Sequence, residues 1–582
     1  MKPIRLKVLL SALSILVAAS FTQAQQPTPE RKVRTMEITA KYLNIPLGYN
    51  PWGTMMTLSI DGAPLGRFGL NLQEQNPYFW GFIDVERYKG KKLEIVVDNI
   101  ATDLSTLTNS DQIVGHESLY AEPLRPQYHF TSRRGWFNDP NGLIWYEGVY
   151  HLFYQHNPMS VFWGNMSWGH ATSPDLVHWQ EQPHVLFPLA TTGECFTGAC
   201  FVDKDNLLGL QQDEREPIIA FYLRTASGLS YAYSLDGGAT FSDYEHNPIV
   251  AKAVGNERID SPKPMFHTES GKWVAPVFDH RFFAEENRNS MTVSIYSSED
   301  LRSWQKESDI GEVDLNAECP DLFPLPLDGN KEDMRWLLLL GNASYVVGNF
   351  DGKYMYTEGG EKATYQDFVT TIPAGCHYYA SMTYDNIPEE DGRRIQIGWM
   401  KKVFNDPSTY AGMPFNQQMS LPMVWTLRST ELGPRVFINP AKEVESLRGE
   451  PLAKEQNVAL VKGINPLAGI DNEQVEICLT AKLPKQGKIT LNIRGIGVEY
   501  DAAKEQISVP SDGVVAHLAP TDGRLSLRAF VDTRSMEIVA GEGRVYIPLL
   551  EEFPTTGYHI EGSEGVVLEN LALYPLASIW HK

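Results

Sequence analysis

The chain has 582 residues, 42% hydrophobic and 11% aromatic, with a formal net charge of -22 at neutral pH. The length implies several domains and the apolar content is ample for large cores. The acidity excludes a surface that attracts nucleic acid or anionic membranes, and suits a neutral substrate. Five cysteines (Cys195, Cys200, Cys319, Cys376, Cys478) are too few for a disulfide scaffold in so long a chain. Their odd number leaves at least one free; Cys195 and Cys200 fit either a pair or two buried thiols. No Cys/His grouping has metal-ligand spacing.

Residues 1–24 read as a secretory leader. Lys2, Arg5 and Lys7 precede an apolar run from Val8 to Phe21, and Thr22-Gln23-Ala24 fits a cleavage site before Gln25. The run is short for a membrane span and no later segment is apolar enough for one, so the expected mature protein is exported, to a periplasm or beyond, without membrane insertion. Residues 33–122 alternate strand-like runs, among them Met55 to Ile60 and Lys92 to Val97, with Gly/Pro/Asn turns, and predict a small β domain. A hairpin is expected where Leu143 to Tyr146 and Val149 to Tyr154 flank Glu147-Gly148.

An internal repeat organises the middle of the chain. Ser173-Pro174-Asp175-Leu176 recurs as Ser298-Glu299-Asp300-Leu301, with a variant at Ser234-Leu235-Asp236-Gly237. Each copy follows a strand-like run, such as Leu229 to Tyr233 or Met291 to Tyr296, and precedes an aromatic residue. A unit of roughly 60 residues built from short strands and polar turns is a propeller signature, and residues 125–430 hold five of them. Residues 445–582, with runs at Val475 to Ala481, Lys488 to Ile493 and Arg544 to Leu549, predict a β-sandwich. Whether that sandwich binds carbohydrate or only packs is left open.

Two segments carry candidate chemistry. Gly135-Trp136-Phe137-Asn138-Asp139-Pro140-Asn141-Gly142 places a carboxylate in a rigid aromatic setting, expected as a turn at a strand end. Glu318-Cys319-Pro320-Asp321 places a second beside neighbours that offer no cation. Glycosidic cleavage needs two carboxyl groups with different duties, a nucleophile and a general acid/base. Gln155, after a run expected to be the innermost of its blade, and Trp163, near a turn, are candidate substrate contacts, as are Asn138 and Trp168; core packing is the alternative for each.

These segments closely resemble the motifs of glycoside hydrolase family 32, the β-fructofuranosidases. The resemblance runs from Arg125-Pro126-Gln127-Tyr128-His129-Phe130 through Trp163 to His170, Glu318 to Asp321 and Arg393 to Met400, and ends at Phe415 to Pro422. It implies an all-β chain with a five-bladed propeller and a C-terminal sandwich. It implies cleavage of β-fructosides (levan, inulin or sucrose) with retention, by Asp139 as nucleophile and Glu318 as acid/base, without metal or organic cofactor. The N-terminal region resembles an extra domain of some gut Bacteroides members. A fructan-binding protein that has lost activity and a fructosyltransferase are the alternatives.

The sequence departs from the family in two places. The family's Arg-Asp-Pro element, whose aspartate stabilises the transition state, is here Arg258-Ile259-Asp260-Ser261-Pro262. Ungapped counting puts Ser261 at the aspartate position; a one-residue bulge would return Asp260 to it, with Arg258 nearby. Asp260 is the expected stabiliser, with Arg258, Ser261 and Cys319 as neighbouring contacts. In Cys376-His377-Tyr378-Tyr379-Ala380 the family's acidic residue is missing, which reads as altered substrate choice or a weakened site.

Overall fold

The computed structural model describes residues 31–98, 104–252, 258–283, 288–311 and 318–580. The leader lies outside them. Strands dominate and the helices are short 3-10 turns. Among the described residues no helix is long and apolar enough to cross a membrane.

Four sheets hold five blades between Gly135 and Pro440, the last sheet, of ten strands, joining blades IV and V. Blade I comprises Gly135–Tyr146, Val149–Asn157, Ser167–Ser173 and Gln180–Leu186. Blade II starts at Cys195–Val202, blade III at Arg258–Asp260, blade IV at Asp321–Leu327 and blade V at Tyr379–Thr383. Most successive strands within a blade are sequence neighbours; in blade V, Phe415–Asn416 and Gln418–Met419 intervene before Met423–Arg428 pairs with Arg394–Met400. The ring closes by a return segment: Phe415–Asn416 leaves blade V and pairs in parallel with Gly135 and Trp136 of blade I. Leu143 and Asp385 add a second link across the same seam.

The repeated aspartates have one job. Asp175, Asp236 and Asp300 each accept a hydrogen bond from the serine two residues before and from backbone N–H groups just after. Each is an Asx turn joining the third strand of a blade to its outer strand. A fourth copy, missed in the sequence because asparagine replaces the serine, is Asn349-Phe350-Asp351, where Asp351 accepts from the N–H groups of Lys353 and Tyr354. The Glu147-Gly148 hairpin forms as expected, both residues at positive φ.

The N-terminal unit is a small sandwich. One sheet runs Arg31–Glu37, Lys92–Asp98, Thr54–Ile60, Ala63–Leu70, and the other Phe79–Asp84, Tyr42–Leu47, Thr108–Ser110. Its core includes Met159, Val161 and Phe187 from blade I, so it is packed onto the propeller. The C-terminal sandwich pairs a six-stranded with a five-stranded sheet around its own aliphatic core. It is tied to the propeller by His129, whose ring nitrogens lie 2.8 Å from Asp532 and 2.7 Å from Glu537, all three buried. All five cysteines are free. Cys195 and Cys200 cannot pair, because five steps along one strand separate them by roughly 16 Å.

Candidate active site

Each blade contributes to one cavity of about 360 Å³ from the first strand of its sheet or the loop leading into it. Asp139 comes from blade I, Thr197 from blade II, Asp260 from blade III, Glu318 from the approach to blade IV and Tyr379 from blade V. Residues hundreds of positions apart meet there because the first strands of a propeller converge on its axis.

Asp139 is held by a strand, not by the expected turn. The 12-residue strand Gly135–Tyr146 continues through it, and its register against Val149–Asn157 slips twice, between Phe137 and Pro140 and between Asn141 and Ile144. Proline is tolerated at such bulges. At Gly142, φ is +50° and an added Cβ would lie 2.6 Å from Cys200 Sγ, so the second slip needs glycine. The indole N–H of Trp136 donates to Asn138 Oδ1 (2.9 Å), which turns the Asn138 amide to donate to Asp139 Oδ1 (2.8 Å). The Thr197 hydroxyl donates to Asp139 Oδ2 (2.6 Å). Burial pushes the Asp139 carboxyl above the usual range, and these two hydrogen bonds oppose that shift.

The bulge expected at Asp260 is present. Asp260 stands opposite Phe278 and Met265 opposite Val274, five steps on one strand against four on the other. Ser261 carries the strain at φ +52°. The shift aims Asp260 into the cavity, where its Oδ2 lies 3.6 Å from Arg258 Nε. Burial, only partly countered by Arg258, raises its carboxyl to about 7. Ser261 itself is buried outside the cavity, its hydroxyl 3.8 Å from Cys319 Sγ.

Glu318 sits where the chain reverses through Cys319, at φ +56°. Asp321, fully buried, anchors that reversal: its Oδ2 accepts from the Thr383 N–H (2.9 Å) and hydroxyl (2.7 Å) and lies 3.2 Å from Lys263 Nζ. The sequence neighbours of Glu318 bring no cation, but the fold does: Arg258 pairs with Glu318 Oε1. The Tyr379 hydroxyl donates to Oε2 (2.9 Å). Arg258 thus touches the carboxyl groups of both Glu318 and Asp260.

The structure also sorts the proposed contacts. Asn138, Gln155, Trp163 and Arg258 line the cavity. Gln155 does so from the second strand of blade I rather than from after the innermost. Trp168 does not: it is fully buried, its indole N–H donating to the Phe196 carbonyl (3.1 Å), because its side of the strand faces the blade II core. Cys319 packs beneath the site, 3.9 Å from Asp139 Oδ2, and does not line it. Cys376 and His377 face the C-terminal sandwich, where His377 Nδ1 accepts from the Leu550 N–H (2.9 Å), so their divergence leaves the cavity untouched. Thr197, Tyr379, Trp399, Lys401 and Phe404 were not singled out. Lys401 follows directly on the Arg393 to Met400 motif, with its ammonium 4.2 Å from the Tyr379 ring centre, and that adjacency was the available signal. Among the described residues no group of three or more His, Cys, Asp or Glu is placed to hold a metal.

Carboxyl groups of differing environment in a small, aromatic-walled pocket define a carbohydrate-cleaving propeller. The model of the glycosyl hydrolases family 32 N-terminal domain matches residues 129–435 and that of the family's C-terminal region matches 443–548, so the chain belongs to glycosyl hydrolase family 32. A levanase of Bacillus subtilis (strain 168) is 32% identical over 507 residues, 80% of this chain and 72% of that protein. An extracellular exo-inulinase of Aspergillus niger is 28% identical over 74% of this chain and 90% of its own. The crystal structure of exo-inulinase from Aspergillus awamori superposes with a TM-score of 0.67 at 25% identity, over 79% of this chain and 100% of that one. The N-terminal sandwich lies outside both family matches.

Proposed function

We propose that this protein is a retaining β-fructofuranosidase that releases fructose from levan, inulin or sucrose. The observation that carries this is the convergence of Asp139, Asp260 and Glu318 on one cavity. Asp139 attacks the anomeric carbon of the terminal fructosyl unit while Glu318 gives its proton to the departing oxygen. The fructosyl group is then bound to Asp139. Glu318, now a base, takes a proton from water, whose oxygen attacks the same carbon and frees Asp139. Asp260 hydrogen-bonds the sugar hydroxyls and so stabilises both transition states. Tyr379 and Arg258 hold the Glu318 carboxyl in place. The presence of Asp260 beside the other two carboxyl groups speaks against a protein that only binds.

The leader read at 1–24 supports action outside the cytoplasm. The test is a time course of sugars released by the purified protein from levan, inulin and sucrose, with Asp139→Asn as control. Fructose from at least one, lost by about 10⁴-fold or more in the variant, is expected. No product from any of the three by folded protein would overturn the proposal.

A further inference from the structure

The N-terminal sandwich reaches the rim of the cavity. Its loop between Tyr42–Leu47 and Thr54–Ile60 carries Tyr49 and Trp52, which are 45% and 59% exposed. Trp52 is nonetheless held in place. A Cβ added to Gly69 would lie 2.7 Å from Trp52 Cζ3, and one added to Gly164 would lie 2.9 Å from its Cη2. The indole therefore rests on one glycine of its own domain and on one of the propeller. Gly164 directly follows Trp163, which lines the cavity. Trp163 in turn meets Phe404, a further cavity residue that is 51% exposed, at a ring-centre distance of 5.9 Å. Tyr49 packs edge-on against Phe162, the residue before Trp163, at 5.2 Å.

The two domains are fastened at this point. The Asn165 side-chain amide accepts from the Gly69 N–H and donates to the Gly69 carbonyl, both at 2.7 Å and both buried. The Tyr78 hydroxyl donates to the Met413 carbonyl (3.1 Å). Tyr49 and Trp52 are thus held against Phe162 and Gly164, the residues on either side of Trp163, and extend the aromatic surface that Trp163 and Phe404 begin at the cavity. Exposed aromatic surface of this extent, beginning at a cavity wall, marks a binding region. A cavity of about 360 Å³ is at the small end of ligand sites and takes a chain end, not a polymer. A longer substrate must leave over the rim, and the apolar C–H faces of neutral sugar units match fixed ring faces.

We propose that Tyr49 and Trp52 form an accessory platform for the fructosyl units that continue from the one in the cavity. By this platform the N-terminal domain, outside the family matches, favours polymeric fructan over sucrose. The proposal rests on the β-fructofuranosidase reading.

The experiment compares kcat/KM on levan with kcat/KM on sucrose for the wild type, Trp52→Ala, Trp52→Phe and Tyr49→Ala. The levan-to-sucrose ratio is expected to fall about threefold to tenfold in Trp52→Ala, the worth of one aromatic contact. Trp52→Phe, which keeps a ring over Gly164, retains at least half of the wild-type ratio, and Tyr49→Ala falls in the same direction as Trp52→Ala. Should Trp52→Ala fail to fold, Trp52→Phe and Tyr49→Ala carry the test by the same ratio. An unchanged ratio, or equal losses on both substrates, overturns the platform while leaving the enzyme reading intact. A folded wild type without activity on levan, inulin or sucrose overturns both.

Discussion

Asp139 is a half-buried carboxyl that the proposed chemistry needs as an anion. Burial works against that, and the hydrogen bonds from Thr197 and Asn138 work for it. Thr197→Val keeps the shape and removes one donor. It should lower kcat/KM by about 10- to 100-fold, the range for a hydrogen bond to a charged group, and move the acid limb of the pH profile upward. An unchanged limb would mean that Asp139 does not set it. Asp260 presents the opposite case. Its folded carboxyl titrates at about 7, against about 3.9 in an unfolded chain. Between those values the folded protein holds a proton that the unfolded chain releases, so this group's contribution to stability is lost as pH rises from about 4 to about 7. Asp260→Asn cannot ionise and should flatten that decline in denaturation midpoints measured from pH 4 to 8. The same variant should lower kcat/KM by about 10²- to 10³-fold on any fructan substrate.

The strand that carries Asp260 shows why an ungapped reading of the motif misleads. Side chains alternate across a strand, so one inserted residue exchanges which of two neighbours faces the channel. Ser261 takes the strained conformation and Asp260 takes the cavity. Deleting Ser261 removes the extra residue and should turn Asp260 away, with a loss of kcat/KM at least as large as that of Asp260→Asn. Activity retained in the deletion would show that the bulge is not what aims Asp260. The Asx turns were legible for the opposite reason: Ser-x-Asp is a local pattern whose hydrogen bonds all close within a few residues. Trp168 was misread because an indole in a motif has the same sequence signature on either side of a strand, and only packing against blade II separates the two.

The domains are joined by buried polar contacts as well as apolar ones. Burial opposes the charged form of His129, but Asp532 and Glu537 outweigh it and raise the imidazole to about 9. Asp532, itself buried, is held below the usual carboxylate range by His129 and by backbone donors. The imidazolium stabilises the assembled protein fully below its unfolded value of about 6.5, and that contribution is lost as pH rises through about 9. His129→Gln should therefore destabilise the protein by about 3–5 kcal/mol at pH 6 and by less at pH 10, read as thermal or denaturant midpoints. Equal losses at both pH values would mean that the charge is not what joins propeller to sandwich.

Composition, the roughly 60-residue repeat and the motif segments determined the class: an all-β chain with a propeller, a sandwich behind it and two carboxyl groups for glycosidic cleavage. Those features are local, since strand period, turn chemistry and short motifs are each written within a few residues. Tertiary structure alone decided the rest. It brought Arg258 to Glu318, Thr197 to Asp139 and Tyr379 to Glu318. It sent Cys376 and His377 to the sandwich and laid Trp52 against Gly164 at the rim. Each of those contacts joins different blades or domains, and no pattern along the chain encodes a distance that only the closing of the ring sets.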